Sequence, residues 1–558
     1  MTPLPRLAAL TTCLAGIGIA LALLSPALGH ADVAMQSLTR ASPISAYKGT
    51  LAWSQFESST GRYHLMLTDI KTGKTTMPKI GWRENPFDVT LGPDTKGRTV
   101  ALYSHCDPSS NALSGNRTTG CDAYSYDLRK KKESKLGFNS DRDSEEWPAQ
   151  WYGQYSYVEV RVGGTAYQMQ ADNRCDRVLS RRVKGGRVRL NAHGTCGTVT
   201  GQALRGTTVV QTAVYAKEPI GGKARKYSEL RVLSTKGGAG TRLLLSKFQD
   251  GSDLYSAPEI DDKYAYAVRS GPAITPKFVR VHLRTGRVDE VEAQTPLTGS
   301  LARDGRTSFY IEQPGDPGAP LAPCAIVTPC RLVRVDEDVF SAAERTLPPR
   351  LTFLAPPDPI FANLPMPVSG SLARRVVRQG KVVRTEPVGG VTVEGLSVTF
   401  PEGGGEQVLS PTGRTATTGA DGTWALTIPP PLPLGGQFTA VTRSLPVPAN
   451  SPVVSLTSYA TVTLTATPAG PGKVRFSGTV DPADLPGRLV LIKQRLGDTS
   501  NGIANVPLAE DGRSFSIEVD ATVGYSYYAE LPPDPGYLTG DVKRRTGNSA
   551  DVIVTAIG

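Results

Sequence analysis

The chain has 558 residues, a formal net charge of +11 and a turn-rich composition with 58 Gly and 44 Pro. This length predicts about three domains rather than one. Short alternating apolar segments broken by turns recur throughout, and helical periodicity is hard to find, so the sequence predicts an all-β protein and excludes a mainly helical one.

The first 31 residues have the pattern of an export signal. Arg6 precedes the uninterrupted apolar stretch LAALTTCLAGIGIALALL, and Ser25-Pro26 then breaks any helix. A small-residue site predicts cleavage after Ala31. The alternative is an uncleaved membrane anchor, because about 18 apolar residues can cross a bilayer. We expect a secreted, extracellular protein with no stable membrane insertion after cleavage.

Six of the seven cysteines lie beyond this segment. In an oxidising compartment an even number of cysteines predicts disulfides. Proximity along the chain favours three local pairs, namely Cys106–Cys121, Cys175–Cys196 and Cys324–Cys330, although other pairings stay open. The alternative is a metal site at a His-Cys pair, but no second ligand pair follows at structural-zinc spacing. We therefore expect neither a metal nor a cofactor.

Positive charge is spread over predicted turns and strand edges. The clusters are RKKK (129–132), RR (181–182), KARK (223–226), RR (374–375) and KRR (543–545). Such residues protect edge strands from aggregation, or they attract anionic polymers weakly. No aromatic residues interleave with these clusters, so a nucleic-acid partner is not expected. An unknown protein or a cell-envelope polysaccharide is the partner class that stays open.

A strand-and-turn segment recurs between about residues 40 and 350. Its copies are YHLMLTDIKTGKTT (63–76), DAYSYDLRKKK (122–132), DRVLSRRVKGGR (176–187), YSELRVLSTKGG (227–238), KFVRVHLRTGR (277–287) and CRLVRVDEDVF (330–340). A turn and an apolar strand precede each copy, as in YKGTLAWSQ (47–55). A repeat of roughly 50 residues is typical of a propeller blade, whose apolar strand packs in the middle. Six pairs of segments predict six blades.

Turns in this region resemble those of the TolB-like family of six-bladed propellers. PDTKGRTVAL (93–102) and RDGRT (303–307) are similar to that family's Pro-Asp-Gly-Lys/Arg turn before an apolar strand. DIKTGK (69–74) and RTGR (284–287) are similar to its Asp-x-x-Thr-Gly-Lys turn. The resemblance implies a six-bladed β-propeller over residues 32–350. It implies little about function, because propellers host many functions.

The C-terminal third contains two similar stretches after a proline-rich segment. The first holds VSGSL (368–372) and ADGTW (420–424), and the second holds FSGTV (476–480) and EDGRSF (510–515). Each reads as about seven short strands, the pattern of a β-sandwich of about 100 residues. They resemble the bacterial immunoglobulin-like and carboxypeptidase-regulatory-like modules of exported proteins. The resemblance implies Ig-like sandwiches at 351–453 and 454–558, with the aromatic residue after each Asp-Gly turn in the core.

The sequence contains no recognisable catalytic motif. A hydrolase coupled to a propeller would need a Gly-x-Ser-x-Gly elbow in a helical α/β domain, and neither is found. The densest aromatic cluster lies within residues 147–157, and we expect most of it to be core. Three of its members are candidate ligand-face aromatics, namely Trp147, Trp151 and Tyr152.

These features predict a secreted, non-catalytic binding or interaction protein, with a propeller face for docking and sandwich modules as a spacer or adhesive stalk. Two alternatives stay open. A carbohydrate- or peptide-active enzyme would need acidic or His residues that converge in the propeller channel. A cell-envelope structural protein would bind the cell wall through its basic face. We expect function in the parts that differ between blades, the cysteine-tied loops at 106–121 and 324–330.

Overall fold

The computed structural model describes residues 30–107, 119–136, 144–160, 176–183, 187–191, 198–220, 223–238, 240–248, 253–271, 274–315, 324–357, 360–399, 407–432, 437–456, 458–483, 487–497, 499–532 and 547–555. The regular elements within them are 45 β-strands, which confirms the prediction of an all-β protein. Within these ranges no helix is long and apolar enough to cross a membrane. Residues 1–29 of the predicted signal and the proposed pair Cys175–Cys196 lie outside the described residues.

Six four-stranded antiparallel sheets follow one another along the chain. The chain enters through β1 (His30–Ala31) and β2 (Val33–Leu38). Sheet 1 contains β3 (Ser45–Tyr47), β4 (Thr50–Glu57), β5 (Arg62–Asp69) and β6 (Thr75–Thr76); sheet 2 contains β7 (Thr90–Pro93), β8 (Thr99–Asp107), β9 (Thr119–Asp127) and β10 (Lys132–Lys135). Sheet 3 contains β11 (Ser144–Trp151), β12 (Gln154–Val160), β13 (Arg177–Arg182) and β14 (Arg189–Asn191); sheet 4 contains β15 (Thr198–Arg205), β16 (Thr208–Ile220), β17 (Lys223–Ser234) and β18 (Thr241–Phe248). Sheet 5 contains β19 (Leu254–Ile260), β20 (Tyr264–Ser270), β21 (Lys277–His282) and β22 (Val288–Glu292); sheet 6 contains β23 (Leu297–Asp304), β24 (Thr307–Glu312), β25 (Cys330–Val335) and the N-terminal β2.

The six sheets close into a ring. The first strand of each sheet packs against the first strand of the next, and β23 packs back against β3. The N-terminal β2 completes the ring as the outermost strand of sheet 6, where it pairs antiparallel with β25. One sheet thus joins the two ends of the ring. The repeat pattern does not predict this strand, because β2 precedes the first repeat copy and lacks its Asp-Gly turn.

The second strand of each sheet is the apolar one, as the repeat pattern predicts. In β20, the segment Ala265–Val268 is buried throughout. Strands β16 and β24 are buried in the same way, at Val209 and Val210 and at Phe309. Each of these strands has a paired strand on both sides and a neighbouring sheet on both faces, so alternation between a wet and a dry face is not required.

Two sets of turns lie at one end of the ring. The inner turns join strands one and two of each sheet, at residues 48–49, 94–98, 152–153, 206–207, 261–263 and 305–306. The outer turns join strands three and four in sheets 1–5, at residues 70–74, 128–131, 183 with 187–188, 235–238 with 240, and 283–287. Backbone hydrogen bonds tie the two sets together, for example from Ile70 N to Gly49 O (2.8 Å) and from Leu283 N to Lys263 O (2.8 Å). We call this end of the ring the turn end.

The segment YHLMLTDIKTGKTT forms β5, the outer turn of sheet 1 and β6. Asp69 Oδ1 accepts hydrogen bonds from Thr72 N (2.7 Å) and Thr72 Oγ1 (2.8 Å), which closes the turn. Gly73 has a φ of 70°, a conformation that glycine adopts without strain. Asp127 repeats this in sheet 2, where its Oδ1 accepts from Lys130 N at 2.9 Å.

The C-terminal third builds two apolar cores. The strands of the first region are β26 (Glu344–Thr346), β27 (Arg350–Leu351), β28 (Ile360–Phe361), β29 (Met366–Arg378), β30 (Lys381–Pro387), β31 (Thr392–Thr399), β32 (Val408–Thr417), β33 (Thr423–Ile428), β34 (Gln437–Thr442) and β35 (Val454–Ser455). Those of the second are β36 (Ser458–Tyr459), β37 (Thr461–Val462), β38 (Thr465–Gly470), β39 (Lys473–Asp481), β40 (Leu489–Leu496), β41 (Thr499–Pro507), β42 (Ser514–Asp520), β43 (Ser526–Leu531), β44 (Gly547–Asn548) and β45 (Val552–Ile553). One core is drawn from residues 351–456 and the other from residues 460–554.

The same glycine–aromatic contact organises both cores. Gly370 lies opposite Trp424 in register, and Gly478 lies opposite Phe515. A Cβ on Gly370 would come within 2.6 Å of the Trp424 ring, and one on Gly478 within 2.3 Å of the Phe515 ring. The repeated Ser-Gly therefore makes room for the aromatic residue that follows each Asp-Gly turn. Both aromatic side chains are buried, as predicted.

The first C-terminal region is fixed to the ring by buried polar contacts. β1 pairs in parallel with β26, and Arg345 donates to the Asp32 carboxylate at 2.8 Å in a buried ion pair. Burial outweighs this attraction and raises the pKa of Asp32 to about 6. On the other side, Gln294 Nε2 donates to Gly380 O at 2.6 Å. These contacts hold the first C-terminal region against sheets 5 and 6.

One predicted disulfide is confirmed. Cys324 and Cys330 are bonded, and both lie in the apolar core shared by sheets 6 and 1. Cys121 is also disulfide-bonded, and its register partner across β8 and β9 is Cys106. The residues between those two strands, 108–118, lie outside the described part of the chain.

Candidate functional site: a cavity on the ring axis

The innermost strands enclose a cavity of about 280 Å³. Every sheet contributes to its wall, through residues 41–47, 89–91, 147–151, 200–205, 256–260 and 298–303. Its volume lies near the lower end of the range for small-molecule pockets, which is about 300–1,000 Å³. It is therefore large enough for one small polar molecule.

Backbone irregularities in the innermost strands aim side chains into this cavity. The first strand of sheets 3–6 bulges against its neighbour, between Glu146 and Ala149 in sheet 3 and between Ser256 and Glu259 in sheet 5. Trp147 and Ala257 adopt positive φ values of 52° and 48° inside these bulges. A bulge bends its strand and re-aims the neighbouring side chains. Proline or glycine accompanies each bulge, at Pro148, Gly201, Pro258 and Gly299.

Hydrogen bonds between neighbouring sheets hold the cavity wall in place. The main ones are Leu91 N to Ser45 Oγ (2.9 Å), Trp147 N to Asp88 Oδ2 (2.6 Å), Gln202 Nε2 to Trp147 O, Tyr255 N to Ser228 Oγ (2.9 Å) and Ser300 Oγ to Ser42 O (2.7 Å). Asp88 also accepts from Ser104 N at 2.7 Å. Burial nevertheless raises the pKa of Asp88. The innermost strands are thus cross-linked before any ligand arrives.

Aromatic rings and a guanidinium group meet where the cavity reaches the turn end. Tyr47, Trp151 and Arg205 are the last residues of β3, β11 and β15. The Tyr47 and Trp151 rings lie edge to face at 5.6 Å, and the Arg205 guanidinium lies 4.7 Å from the Trp151 ring centre. Arg205 is held by two hydrogen bonds to the Asp262 carboxylate, at 2.6 and 2.9 Å. We call Tyr47, Trp151, Tyr152 and Arg205 the mouth cluster.

Tyr152 is the exposed member of the mouth cluster. It adopts a φ of 44°, its N–H donates to Pro93 O at 3.0 Å, and its side chain is 54% exposed. Burial and the adjacent Tyr152 hydroxyl raise the pKa of Tyr47 to about 12, so the Tyr47 phenol is protonated at neutral pH. The cluster therefore offers ring faces, hydroxyl groups and one guanidinium to a ligand at the turn end.

Glu259 is the one carboxylate among the residues of the described cavity wall. Burial raises its pKa to about 8, and the positive charge of Arg303 offsets only part of this effect. The carboxyl is therefore mostly protonated at pH 7 and can both donate and accept a hydrogen bond. The Arg303 guanidinium stacks 4.1 Å from the Tyr266 ring centre, and its Nε is buried with no hydrogen-bond partner.

The structure brings together some of the residues singled out from sequence. Trp147 and Trp151 line the cavity, and Tyr152 lies beside them at the turn end. Their role as ligand-face aromatics stays a prediction. Tyr155 and Tyr157 of the same sequence cluster are buried, as expected.

Sequence reasoning missed four cavity residues, Tyr47, Arg205, Glu259 and Arg303. The repeat covers the second and third strands of each sheet, whereas these residues lie on the first strands. A usable signal was present, because a Pro or Gly occurs three or four residues before the strand end in three of the six first strands, PISAY (43–47), PAQW (148–151) and GQALR (201–205).

The predicted cysteine-tied loops lie at the other end of the ring. They connect strands two and three, whose junctions face away from the turn end in an antiparallel meander. Residues 108–118 of the first loop lie outside the described residues, whereas the second loop, 324–330, is described and only the preceding residues 316–323 are not. Among the described residues, the polar and aromatic groups instead converge at the turn end of the cavity.

The described cavity wall contains Ser, Thr and Tyr hydroxyls but no histidine that could activate one of them as a nucleophile. Across the described ranges, no three His, Cys, Asp or Glu side chains are grouped so that they could hold a metal ion. No histidine or cysteine belongs to the described cavity wall. The arrangement can bind and orient a polar molecule, and it offers one protonated carboxyl as a proton donor.

Comparisons with known proteins agree on propeller-like neighbours at low similarity. No family model matches the chain, and no curated protein matches it. The β-propeller domain of the trilobed protease from Pyrococcus furiosus is 9% identical, with a TM-score of 0.31 over 52% of this chain and 76% of that one. A puromycin hydrolase is 12% identical, with a TM-score of 0.32 over 79% of this chain and 58% of that one. The polysaccharide lyase Uly1 is 9% identical, with a TM-score of 0.29 over 53% of this chain and 90% of that one. Likenesses at this level carry no conclusion about activity or substrate.

Proposed function

We propose that this chain is an exported, non-catalytic binding protein whose ring is a TolB-like six-bladed β-propeller with a small-ligand site in its central cavity. Six four-stranded sheets and their closure by β2 support the propeller. The two C-terminal regions act as Ig-like spacer or stalk modules, and export is supported by the signal-like N-terminus and the confirmed disulfide. The partner is an unknown protein or a cell-envelope polysaccharide.

One observation carries the binding proposal, the convergence of Trp151, Glu259 and Arg303 on a single cavity. The Trp151 ring offers a flat apolar face. The protonated Glu259 carboxyl offers hydrogen bonds without charge, and the Arg303 guanidinium offers them with a positive charge. This combination suits the ring and hydroxyl groups of a sugar, or a short peptide end. Because neighbouring strands are already cross-linked, little conformational entropy is lost on binding.

Titration of the purified protein with D-galactose, D-galacturonate, N-acetyl-D-glucosamine and the dipeptide Gly-Pro tests this site. Trp147 and Trp151 line the cavity, so tryptophan fluorescence reports binding there. We expect saturable binding of at least one compound, and a loss of roughly tenfold or more in affinity for Trp151→Ala, as found for buried aromatic anchors. Trp82→Phe is the matched control, because Trp82 is exposed in the connection between β6 and β7 and lies outside the cavity. No response to any compound, or an equal response in both variants, would contradict the proposal.

An enzyme with its site in the same cavity is the second candidate, and Glu259 is the observation that favours it. A carboxyl with a pKa near 8 can act as a general acid at neutral pH. Two-carboxylate glycoside hydrolysis is not supported, because Glu259 is the single carboxylate in the described wall. Incubation with the compound that binds, followed by mass analysis, separates the two. Product from wild type and none from Glu259→Gln would favour the enzyme.

A further inference from the structure

The turn end carries an arc of cations outside the cavity. Each described outer turn of sheets 1–5 has at least one exposed Lys or Arg, and these are Lys71, Lys74, Arg129, Lys130, Lys131, Arg187, Lys236, Arg284 and Arg287. We call this set the basic arc. Because the outer turns are hydrogen-bonded to the inner turns, the arc surrounds the mouth cluster.

Most cations of the basic arc have no carboxylate partner among the described residues, unlike the cations on the strands of sheet 5. On sheet 5, Arg269 is bound to Asp253 at 2.7 Å and Lys277 to Glu290 at 2.9 Å. In the described part of the chain, no ion pair involves Lys71, Lys74, Lys130, Lys131, Lys236 or Arg284. Arg287 is the member with a carboxylate partner, Asp289 at 3.3 Å. On sheet 5 the strand cations Arg269 and Lys277 are thus neutralised, whereas most cations of the arc have no carboxylate partner among the described residues.

The carboxylates closest to the arc are occupied by the backbone. Asp69 and Asp127 each accept hydrogen bonds from N–H groups of their own turn. These bonds are the main cause of the lowered pKa of Asp69, and the nearby charge of Lys71 adds to it without forming an ion pair. These hydrogen-bonded turns therefore present their Lys side chains to solvent.

Sheet 6 interrupts the arc. Its third strand, β25, leads into Asp336, Glu337 and Asp338 instead of a basic turn. These acids are paired with strand and inner-turn arginines, as in Arg306–Glu337 (2.6 Å) and Arg334–Asp336 (2.6 Å). The unpaired positive charge consequently follows a curved track over sheets 1–5 and ends at sheet 6.

We propose that the basic arc binds a linear anionic polysaccharide whose carboxylate or phosphate groups pair with lysines of successive sheets. A flexible polyanion can follow such a track, and its affinity derives from many small Coulomb terms and the release of counterions. A bilayer is a poor fit, because the one large exposed apolar side chain of the described outer turns is Val188. A protein partner would bury an apolar or aromatic centre, so it would have to cover the mouth cluster inside the arc, whereas a linear polyanion needs only the cations of the turns. The inference uses no residue of the cavity wall, so either site can fail its test while the other stands.

Two charge-matched variants test this inference. The arc variant is Lys71→Gln, Lys74→Gln, Lys130→Gln, Lys131→Gln and Lys236→Gln. The control variant is Lys79→Gln, Lys247→Gln, Lys381→Gln, Arg414→Gln and Lys473→Gln, all exposed and outside the arc. Both remove the same net charge, so a difference between them reports position. Thermal unfolding of each variant checks that the fold is kept.

The binding assay uses polygalacturonate for carboxylate, polyphosphate for phosphate and dextran as the neutral polymer. We expect wild type to bind at least one polyanion and not dextran, with affinity falling about tenfold or more between roughly 50 and 200 mM salt. We expect the arc variant to lose at least about tenfold in affinity and the control variant to stay within about twofold. Binding of one polyanion alone supports the proposal and names the anionic group. Equal losses in both variants, equal dextran binding, or binding to anionic vesicles without binding to either polyanion would overturn it.

Discussion

The ring and the two C-terminal regions are both all-β, but they differ in how many polar side chains they bury. The ring buries polar side chains such as Asp88, Gln202 and Ser228 on or beside its innermost strands, where they link neighbouring sheets. The sandwich cores are built from aliphatic and aromatic side chains around Trp424 and Phe476. Stability in the two C-terminal regions therefore depends mainly on the burial of apolar side chains. The ring instead retains a polar centre in which a ligand can be held.

The largest loss of unfolding free energy is expected when the core of the second C-terminal region is disrupted. Phe476 is fully buried and packs 5.1 Å from the Tyr527 ring. Phe476→Ala removes that packing and leaves a cavity, which costs about 3–5 kcal/mol of unfolding free energy. Urea unfolding measures it, with Phe361→Ala, partly exposed at 38%, as the milder control. A cost below about 1 kcal/mol would show that this core relies on something other than apolar burial.

A smaller but still clear loss is expected when a polar link in the ring is broken. Asp88→Ala leaves Ser104 N and Trp147 N without their acceptor between sheets 2 and 3. Unsatisfied buried donors make this cost about 2–3 kcal/mol. Asp520→Ala, at an exposed and unpaired carboxylate, is the control. The comparison would fail if Asp88→Ala unfolded at the wild-type denaturant concentration.

Glu259 gives the ring a pH dependence that the sandwiches do not share. Its native pKa of about 8 is raised above the ordinary carboxyl value, so the native state holds more protons than the unfolded state between about pH 4.5 and 8. Its contribution to stability is therefore present at low pH and is lost as the pH rises through this window. Relative to wild type, Glu259→Gln should gain stability progressively as the pH rises from about 4.5 to 8, and it should gain nothing at pH 4. A constant difference from pH 4 to pH 8 would contradict the assignment.

The smallest effect is expected at a surface ion pair of the second sandwich. Arg475 Nε donates to Glu518 at 3.0 Å, and the two side chains are about half exposed, at 53% and 41%. Arg475→Ala should therefore change stability by less than about 1 kcal/mol, because solvent and salt screen such pairs. A double-mutant cycle with Glu518→Ala isolates the pair. A coupling energy comparable with the loss in Phe476→Ala would overturn the view that apolar burial dominates here.

The repeating strands and turns are predictable from the sequence, whereas the residues that line the centre of the ring are not. Alternating apolar and polar residues predict a strand when one of its faces packs against a neighbouring sheet. An Asp that accepts backbone hydrogen bonds, as Asp69 does, predicts the turn that follows the strand. The closing strand β2 and the cavity residues have no such local signal. Glu259 and Arg205 lie on the first strands of neighbouring sheets, and the packing of those strands, which local patterning does not encode, brings both to the cavity wall. Trp151 was found because aromatic side chains are conspicuous in any environment.

The most direct test of the cavity as ligand site is hydrogen–deuterium exchange with and without the titration compound that binds most tightly. If the cavity binds the ligand, we expect slower exchange in residues 147–151, 200–205 and 256–260, which belong to the cavity wall. We expect unchanged exchange in β29 and β39 of the two sandwiches. Protection confined to the sandwich strands, with none in the cavity wall, would contradict the cavity as ligand site.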